Sequence, residues 1–225
     1  MAPEFPGAYQ NLGAALAAAG RNDEAVAACA AALRLRPSSA EAHRNLGVAL
    51  WKGRRLAEAE AAFREAVRLR GDDAEALAGL GAALSAEGSP GDAIEPLGRA
   101  LRLDPELADV RLNLANALLA THRFAEGAAQ LGEVIRTNPA DASARDNLAI
   151  AYFSLGRFPE AEAQLRAATG LAPGRADFHY NLGALLWRMN RLPEARAEFE
   201  RALELKPDYA EAREQLTRLQ SGEAK

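Results

Sequence analysis

Cysteine is almost absent from this chain of 225 residues, which contains only Cys29. A single thiol cannot form an intramolecular disulfide and cannot supply a cysteine-rich metal site. Aromatic residues are also scarce, at 6% of the chain, whereas alanine is abundant. We therefore expect no metal site, and we expect helices that approach each other closely over small side chains.

The sequence also lacks long apolar runs and an excess of positive charge. No apolar run reaches the roughly 18 residues that a membrane-spanning helix needs. The formal net charge is −4, whereas nucleic acids and anionic membranes are bound by cationic surfaces, so neither partner is expected. Residues 1–7 lack the basic and apolar regions of a signal peptide. We expect a cytoplasmic protein, or a fragment of a longer one.

The chain does contain one short sequence motif that recurs at a fixed spacing. Asn-Leu-Gly or Asn-Leu-Ala begins at Asn11, Asn45, Asn113, Asn147 and Asn181. Gly79 takes the place of the asparagine once, and with it the motif recurs at equal steps along the chain, without insertion or deletion. A fixed period of about 34 residues is typical of a stacked repeat array.

Each period has the pattern of two helices. In the last one, an apolar face runs through Leu182 and Leu186 in a first helix and through Ala195 and Phe199 in a second. Asn190 stands between them, where it can end the first helix in a left-handed conformation. The sequence therefore predicts six pairs of antiparallel helices.

This pattern resembles the tetratricopeptide repeat (TPR), whose signature has a Leu-Gly pair, small residues, an aromatic and a proline within a period of about 34 residues. Here Ala59, Phe63 and Ala66 match it in the second repeat, although the usual early tryptophan is missing. The resemblance implies an all-α fold, an α-solenoid that forms a right-handed superhelix. The predicted organisation is an extension at 1–5, six repeats at 6–39, 40–73, 74–107, 108–141, 142–175 and 176–209, and a capping helix with a tail at 210–225.

Catalytic motifs are missing. No phosphate loop, dinucleotide fingerprint, metal-spaced cluster or nucleophile elbow occurs. His43 and His179 hold the same repeat position, which favours equivalent structural roles, and His122 falls at a turn between helices. Cys29 stands at the position of Phe63, so it is predicted to be a small core residue. We expect no enzyme, no cofactor and no small-molecule substrate.

The resemblance places ligands on the first helices, which line the concave side of TPR superhelices. Their exposed face is expected at positions 2, 5, 6, 9, 12 and 13 of each repeat, including Gln10, Ala17 and Asp146. Arg218 is expected on the polar outer face of the capping helix. The candidate residues for binding a peptide or partner in this groove are Asn45, Trp51, Asn113, Asn116, Asn147, Ile150, Phe153, Tyr180, Asn181, Trp187 and Arg188.

The asparagine column is similar to the asparagine ladder of the TPR superhelix in O-linked N-acetylglucosamine transferase, which holds peptides by their main chain. An asparagine side chain can donate and accept hydrogen bonds at once. The alternative is that these asparagines serve contacts between repeats. Because Gly79 interrupts the column, a continuous ladder is expected only from Asn113 to Asn181.

The sequence favours a protein-interaction scaffold or adaptor that binds an extended peptide or a partner helix. It does not fit the carboxylate clamp of chaperone-binding TPR proteins, because Glu75 and Gly79 replace the basic pair that the clamp needs. Two alternatives stay open. In the first, the chain is a targeting segment of a larger enzyme, such as a peptide glycosyltransferase. In the second, it is a scaffold that self-associates through its terminal repeats.

Overall fold

The computed structural model describes residues 5–221, apart from the side chain of Gln220, and in this range it contains thirteen α-helices and no strand. Most of the predicted extension (1–4) and the end of the predicted tail (222–225) lie outside the described residues. The helices are α1 (Pro6–Ala18), α2 (Asn22–Leu35), α3 (Ala40–Lys52), α4 (Leu56–Leu69), α5 (Ala74–Ala86), α6 (Pro90–Leu103), α7 (Ala108–Ala120), α8 (Phe124–Thr137), α9 (Ala142–Ser154), α10 (Phe158–Leu171), α11 (Ala176–Arg188), α12 (Leu192–Leu205) and α13 (Ala210–Ser221).

The odd-numbered helices, which we call the first helices, begin at equal intervals along the sequence from α3 to α13. The even-numbered ones are the second helices. The predicted all-α fold of paired helices, an α-solenoid, is confirmed, whereas the limits of the individual repeats stay a prediction. Within the described residues, no helix is long and apolar enough to cross a membrane.

The chain divides into two compact units, Met1–Thr121 and His122–Lys225. In the first unit, each of α1, α3 and α5 pairs with the helix that follows it, and α3, α5 and α7 also pack on the preceding second and first helices. In the second unit, α9 and α11 pair with α10 and α12, and α13 packs on α12. First helices such as α3 and α5 therefore lie between neighbours, and only part of their surface stays open.

Glycine allows the two helices of a hairpin to come very close. A Cβ atom added to Gly47 would lie 2.8 Å from the ring of Phe63, and one added to Gly183 would lie 2.8 Å from the ring of Phe199. Both rings are buried, at 2% and 0% exposure. The aromatic side chain of the second helix thus fills the space that a side chain on the first helix would need.

The same ring explains why Gly79 interrupts the asparagine column. A Cβ atom at Gly79 would lie 2.4 Å from Cε1 of Phe63, which belongs to the preceding second helix. Before four of the asparagines, the residue at the corresponding place, sixteen positions upstream, is smaller than phenylalanine: Cys29, Leu97, Leu131 and Leu165. The break is therefore a packing consequence of Phe63.

One residue with a positive φ angle lies in the turn of every hairpin. These residues are Gly20, Arg54, Gly88, His122, Gly156 and Asn190, with φ angles between 59° and 82°. The left-handed conformation predicted for Asn190 is confirmed, and His122 has the equivalent role in its own turn.

The side chain at the fourth position of a first helix bonds to the loop that precedes that helix. Nε2 of His43 lies 3.0 Å from the carbonyl oxygen of Pro37, and Nε2 of His179 lies 3.3 Å from that of Pro173. Arg145 donates to the carbonyl oxygen of Pro139 in the same way. The structural role predicted for the two histidines is confirmed.

The backbone requirement at the turns can be separated from packing with two glycines. No heavy atom lies within 4 Å of a Cβ atom added at Gly156 or at Gly132, but only Gly156 has a positive φ angle. We expect Gly156→Ala to lower the free energy of unfolding by about 1 kcal/mol. Gly132→Ala, within α8, should raise it by roughly 0.5–1 kcal/mol. Chemical denaturation followed by circular dichroism measures both, and a shift of the same sign would contradict this account.

The clash at Gly79 can be tested with a double-mutant cycle. Gly79→Asn should cost roughly 1–3 kcal/mol in the wild-type background, because it overpacks against Phe63. In the Phe63→Leu background the same change should cost less, by at least about 0.5 kcal/mol. Strictly additive costs would show that the ring does not exclude the asparagine.

Candidate functional site

In the unit formed by residues 1–121, the first helices α3, α5 and α7 line a cavity of about 600 Å³. We call it the Trp51 cavity. Its lining also includes the turn between α5 and α6, and comprises Trp51, Ala82, Ser85, Ala86, Gly88, Pro90, Asn113, Asn116, Ala117 and Ala120. The Trp51 side chain is half-buried and packs against the core of this unit.

A second cavity, of about 200 Å³, lies on the first helices of the second unit. We call it the Trp187 cavity, and it is lined by Phe153 of α9, Ala184, Trp187 and Arg188 of α11, and Arg218 of α13. Trp187 is half-buried and stands edge-on to Phe199, with 6.5 Å between ring centroids. The guanidinium carbon of Arg218 lies 5.5 Å from the centroid of the Trp187 ring.

The two cavities are built from equivalent repeat positions. Each uses the twelfth residue of its leading helix, the twelfth residue of its middle helix and the ninth residue of its last helix. These residues are, in pairs, Trp51 and Phe153, Ser85 and Trp187, and Asn116 and Arg218. Each unit thus contains the same kind of cavity, but the two cavities carry different chemical groups.

Six of the eleven predicted site residues line these cavities, namely Trp51, Asn113 and Asn116 in the first unit and Phe153, Trp187 and Arg188 in the second. The other five, which line neither cavity, are Asn45, Asn147, Ile150, Tyr180 and Asn181. Ile150 is 41% exposed. Tyr180 packs between two other rings, with its centroid 5.7 Å from that of Phe199 and 5.2 Å from that of Tyr209.

The asparagine column does not present a uniform row of open amides. Nδ2 of Asn45 donates to the main-chain oxygen of Gln10 at 3.4 Å. Nδ2 of Asn181 donates to Asp146 Oδ1 at 2.9 Å, and Asn147 is also engaged in an interaction. The contacts of Asn45 and Asn181 favour a scaffold role for these two asparagines, while the ladder itself stays a prediction.

Asn113 differs from these three. Within the described residues its amide has no hydrogen-bond partner, and it lines the Trp51 cavity. The hydroxyl of Ser85, in the same lining, is buried and likewise has no partner there. The amide of Asn113 is half-buried and available for hydrogen bonds in the Trp51 cavity, whereas the Ser85 hydroxyl is enclosed beneath its surface.

Part of the predicted exposed face is wrong. Gln10, Ala17 and Asp146 are buried, at 5%, 2% and 7% exposure. Gln10 shows the cause at the fifth repeat position, because its Nε2 donates to Oγ of Ser39, the N-cap of α3, at 2.6 Å. The fifth position faces the start of the next first helix.

The prediction for Arg218 is also wrong. Its side chain lies over Trp187 and lines the cavity, so it does not belong to the outer face of α13. A signal for this placement was present in the sequence. When the repeat numbering is continued into α13, Arg218 falls at the ninth position, which is part of the face predicted for ligands.

No group of three or more potential metal-ligating side chains occurs within residues 5–221. Cys29 is completely buried, and burial raises the pKa of its thiol to about 11. A thiol with such a pKa is not a nucleophile near neutral pH. This agrees with its predicted place in the core.

Burial has a strong effect on Asp146. Desolvation raises the pKa of this carboxyl group to about 6, from a usual value of 3.8, although the hydrogen bond from Asn181 partly opposes the shift. Nearby Asp177 has the opposite shift, because its hydrogen bonds with Arg175 lower its pKa. Folding therefore raises the pKa of one of these neighbouring aspartates and lowers the pKa of the other.

The buried carboxylate should make stability depend on pH. Between about pH 4 and pH 6 the folded state holds the Asp146 proton more tightly than the unfolded state, so stability falls as pH rises through this window. Asp146→Asn should remove the loss and raise the free energy of unfolding at pH 7 by about 1–3 kcal/mol, with little change at pH 3.5.

Asp177→Asn is the matched control and should instead destabilise the protein at pH 7, because Asp177 is stabilising when ionised. Urea denaturation across pH measures both variants. A wild-type advantage over Asp146→Asn that grows from pH 4 to pH 7 would contradict the assignment.

Comparisons with known proteins agree with this architecture. The model of the tetratricopeptide repeat family matches residues 11–74, 54–108, 112–176 and 147–210. No curated protein matches the chain significantly. Among solved structures, YrrB, described as a TPR protein with an unusual peptide-binding site, shares 24% identity at a TM-score of 0.75, over 83% of this chain and 96% of its own.

Two other solved structures have the same fold. MamA from Desulfovibrio magneticus RS-1 shares 24% identity at a TM-score of 0.71, over 76% of this chain and 97% of its own. PilF of Pseudomonas aeruginosa shares 21% identity at a TM-score of 0.73, over 94% of this chain and 96% of its own. Because the family model matches most of the sequence, the chain belongs to the tetratricopeptide repeat family.

Proposed function

We propose that this chain is a protein-interaction scaffold that holds an extended peptide or a partner helix against its first helices. The general role follows from the family, whose members are mostly non-catalytic interaction scaffolds. The observation that carries the specific proposal is the cavity found at equivalent positions in both units, with a tryptophan in each. Half-buried tryptophans in a recess are typical anchors for a partner.

The Trp51 cavity suits a peptide main chain. Much of its lining is alanine and glycine, which lets a backbone approach the helices closely. The amide of Asn113 can donate and accept, which matches the N–H and C=O groups of an extended peptide. We infer that Asn113, and not the whole asparagine column, contacts the peptide backbone. The likeness to YrrB supports peptide binding only at the level of the fold.

We propose a role without catalysis, cofactor or small-molecule substrate. The groups with the greatest catalytic potential already have structural roles: the thiol of Cys29 is in the core, and the rings of His43 and His179 hold loop carbonyl groups. With a net charge of −4, nucleic acid and anionic membranes are unfavourable partners. A cytoplasmic location remains part of the proposal.

Self-association is a second candidate, and one observation favours it. Leu12 is 49% exposed on α1, whereas Leu148 and Leu182, at the same repeat position, are 4% and 1% exposed. Phe5, the N-cap residue of α1, is 64% exposed. The open apolar side of α1 would suit a second copy. The other alternative, a targeting segment of a larger enzyme, has no comparable support among the described residues.

Peptide-display selection on the full chain tests the proposal. Peptides enriched on the wild type should lose binding to a Trp51→Ala, Trp187→Ala double variant whose helicity is unchanged. Among peptides that depend on Trp51, Asn113→Ala should weaken binding by about tenfold.

Asn45→Ala is the matched control, because it removes the same side chain at the same repeat position, where the amide is already bonded within the array. It should leave affinity unchanged. Peptides that bind the wild type and the double variant equally would contradict the proposal. Failure to enrich any peptide would also contradict it, in favour of folded partners or a second copy.

A further inference from the structure

We propose that the Trp187 cavity selects an acidic peptide segment, in which one large apolar side chain enters the cavity and neighbouring Asp or Glu side chains pair with Arg188 and Arg218. This inference rests on the proposed function and deepens it, because it names the chemistry of the partner at one of the two cavities. The occupant to which we commit is an internal peptide segment with side-chain carboxylates.

The size and lining of the cavity determine the apolar part of the ligand. Its volume of about 200 Å³ is below the roughly 300–1,000 Å³ typical of small-molecule sites, and it suits a single large side chain. Phe153 and Trp187 provide aromatic surface, and Phe153 is 39% exposed. Trp187 is supported from the core by Phe199, so this surface is held in place before a ligand arrives.

The two arginines determine the charged part. Most other arginines of this unit are paired with acids, such as Arg191 with Glu162 and Glu194 at 2.6 Å, and the remaining two donate to loop carbonyl oxygens. Arg188 and Arg218 form no ion pair within the described residues, although both line an apolar cavity. Two guanidinium groups at one recess, without an acidic partner in residues 5–221, stand out in a chain with a net charge of −4.

The geometry of Arg218 favours a carboxylate. Its guanidinium lies over the Trp187 ring, and stacking of this kind restrains the group while its N–H donors remain available at the edges. Arg188 approaches from α11 and Arg218 from α13, so the positive charges come from two helices around the apolar surface. Guanidinium groups bind carboxylates in a bidentate geometry that fixes orientation.

The Trp51 cavity provides an internal comparison. At the repeat positions of Arg188 and Arg218 it has Ala86 and Asn116, which are neutral. The charge is therefore specific to the Trp187 cavity and is not a property of the repeat. An acidic segment should prefer the Trp187 cavity, whereas a neutral segment has no electrostatic reason to do so.

Three synthetic peptides test the inference on the full chain. All have acetylated and amidated ends and Gly-Ser flanks. The first has the centre Glu-Phe-Leu-Glu, the second replaces both Glu with Gln, and the third replaces Phe and Leu with Ala. Fluorescence anisotropy in buffer of low ionic strength should show that the first binds at least about tenfold more tightly than either of the others.

Variants then assign the effect to the cavity. Arg188→Gln with Arg218→Gln should abolish the preference for Glu over Gln, while the affinity for the Gln peptide stays the same. The control is Arg196→Gln with Arg201→Gln, which removes two exposed charges from α12 and should preserve the preference. Because all four side chains lie at the surface or rim, folding should be retained, and circular dichroism verifies it.

The possible results separate this inference from the proposed function. Equal binding of the Glu and Gln peptides, or loss of preference in the control variant alone, would overturn the inference. Tighter binding of a Gln peptide that has a free C-terminal carboxylate than of the blocked Glu peptide would also overturn it, in favour of a chain terminus. If display selection enriches peptides that are insensitive to both arginines, this inference fails while the proposed function stands. If no peptide binds, both fail.

Discussion

The structure depends on the close contact between the two helices of each hairpin. At Gly47 and Gly183 no side chain can exist without displacing a buried aromatic ring. This contact explains why small residues recur in an array that has few aromatics. It also has effects beyond the hairpin, because the ring of Phe63 reaches the next first helix and excludes an asparagine at position 79. An irregularity in a surface column thus originates in the core.

This packing leaves one face of the first helices open. On that face, residues at the same repeat position have different roles in different helices. The amides of Asn45 and Asn181 are used within the array, whereas the amide of Asn113 faces a cavity. Position twelve likewise provides Trp51 in one cavity and Trp187 in the other. The repeat determines the position of a side chain on its helix, and the individual residue determines whether that side chain bonds to its neighbours or lines a cavity.

The fold could be predicted from the sequence because a fixed repeat period and a left-handed residue such as Asn190 follow from local rules. The candidate site could be predicted only in part. Periodicity gives the direction of a side chain around its own helix, but not its distance from the next helix. For this reason Gln10 and Asp146 were expected on the surface and are buried. Arg218 was missed because α13, although it continues the pattern of a first helix, was expected to present Arg218 on the polar outer face of a cap.

The central claim is that partners bind to the open face of the first helices, while the second helices serve as scaffold. Hydrogen–deuterium exchange of the full chain, with and without a peptide obtained by selection, tests it most directly. The account predicts that the peptide slows exchange in α3, α5 and α7 or in α9, α11 and α13, with little change in the middle of α4, α6, α10 and α12. Protection concentrated on the second helices, or on the open side of α1 alone, would contradict it.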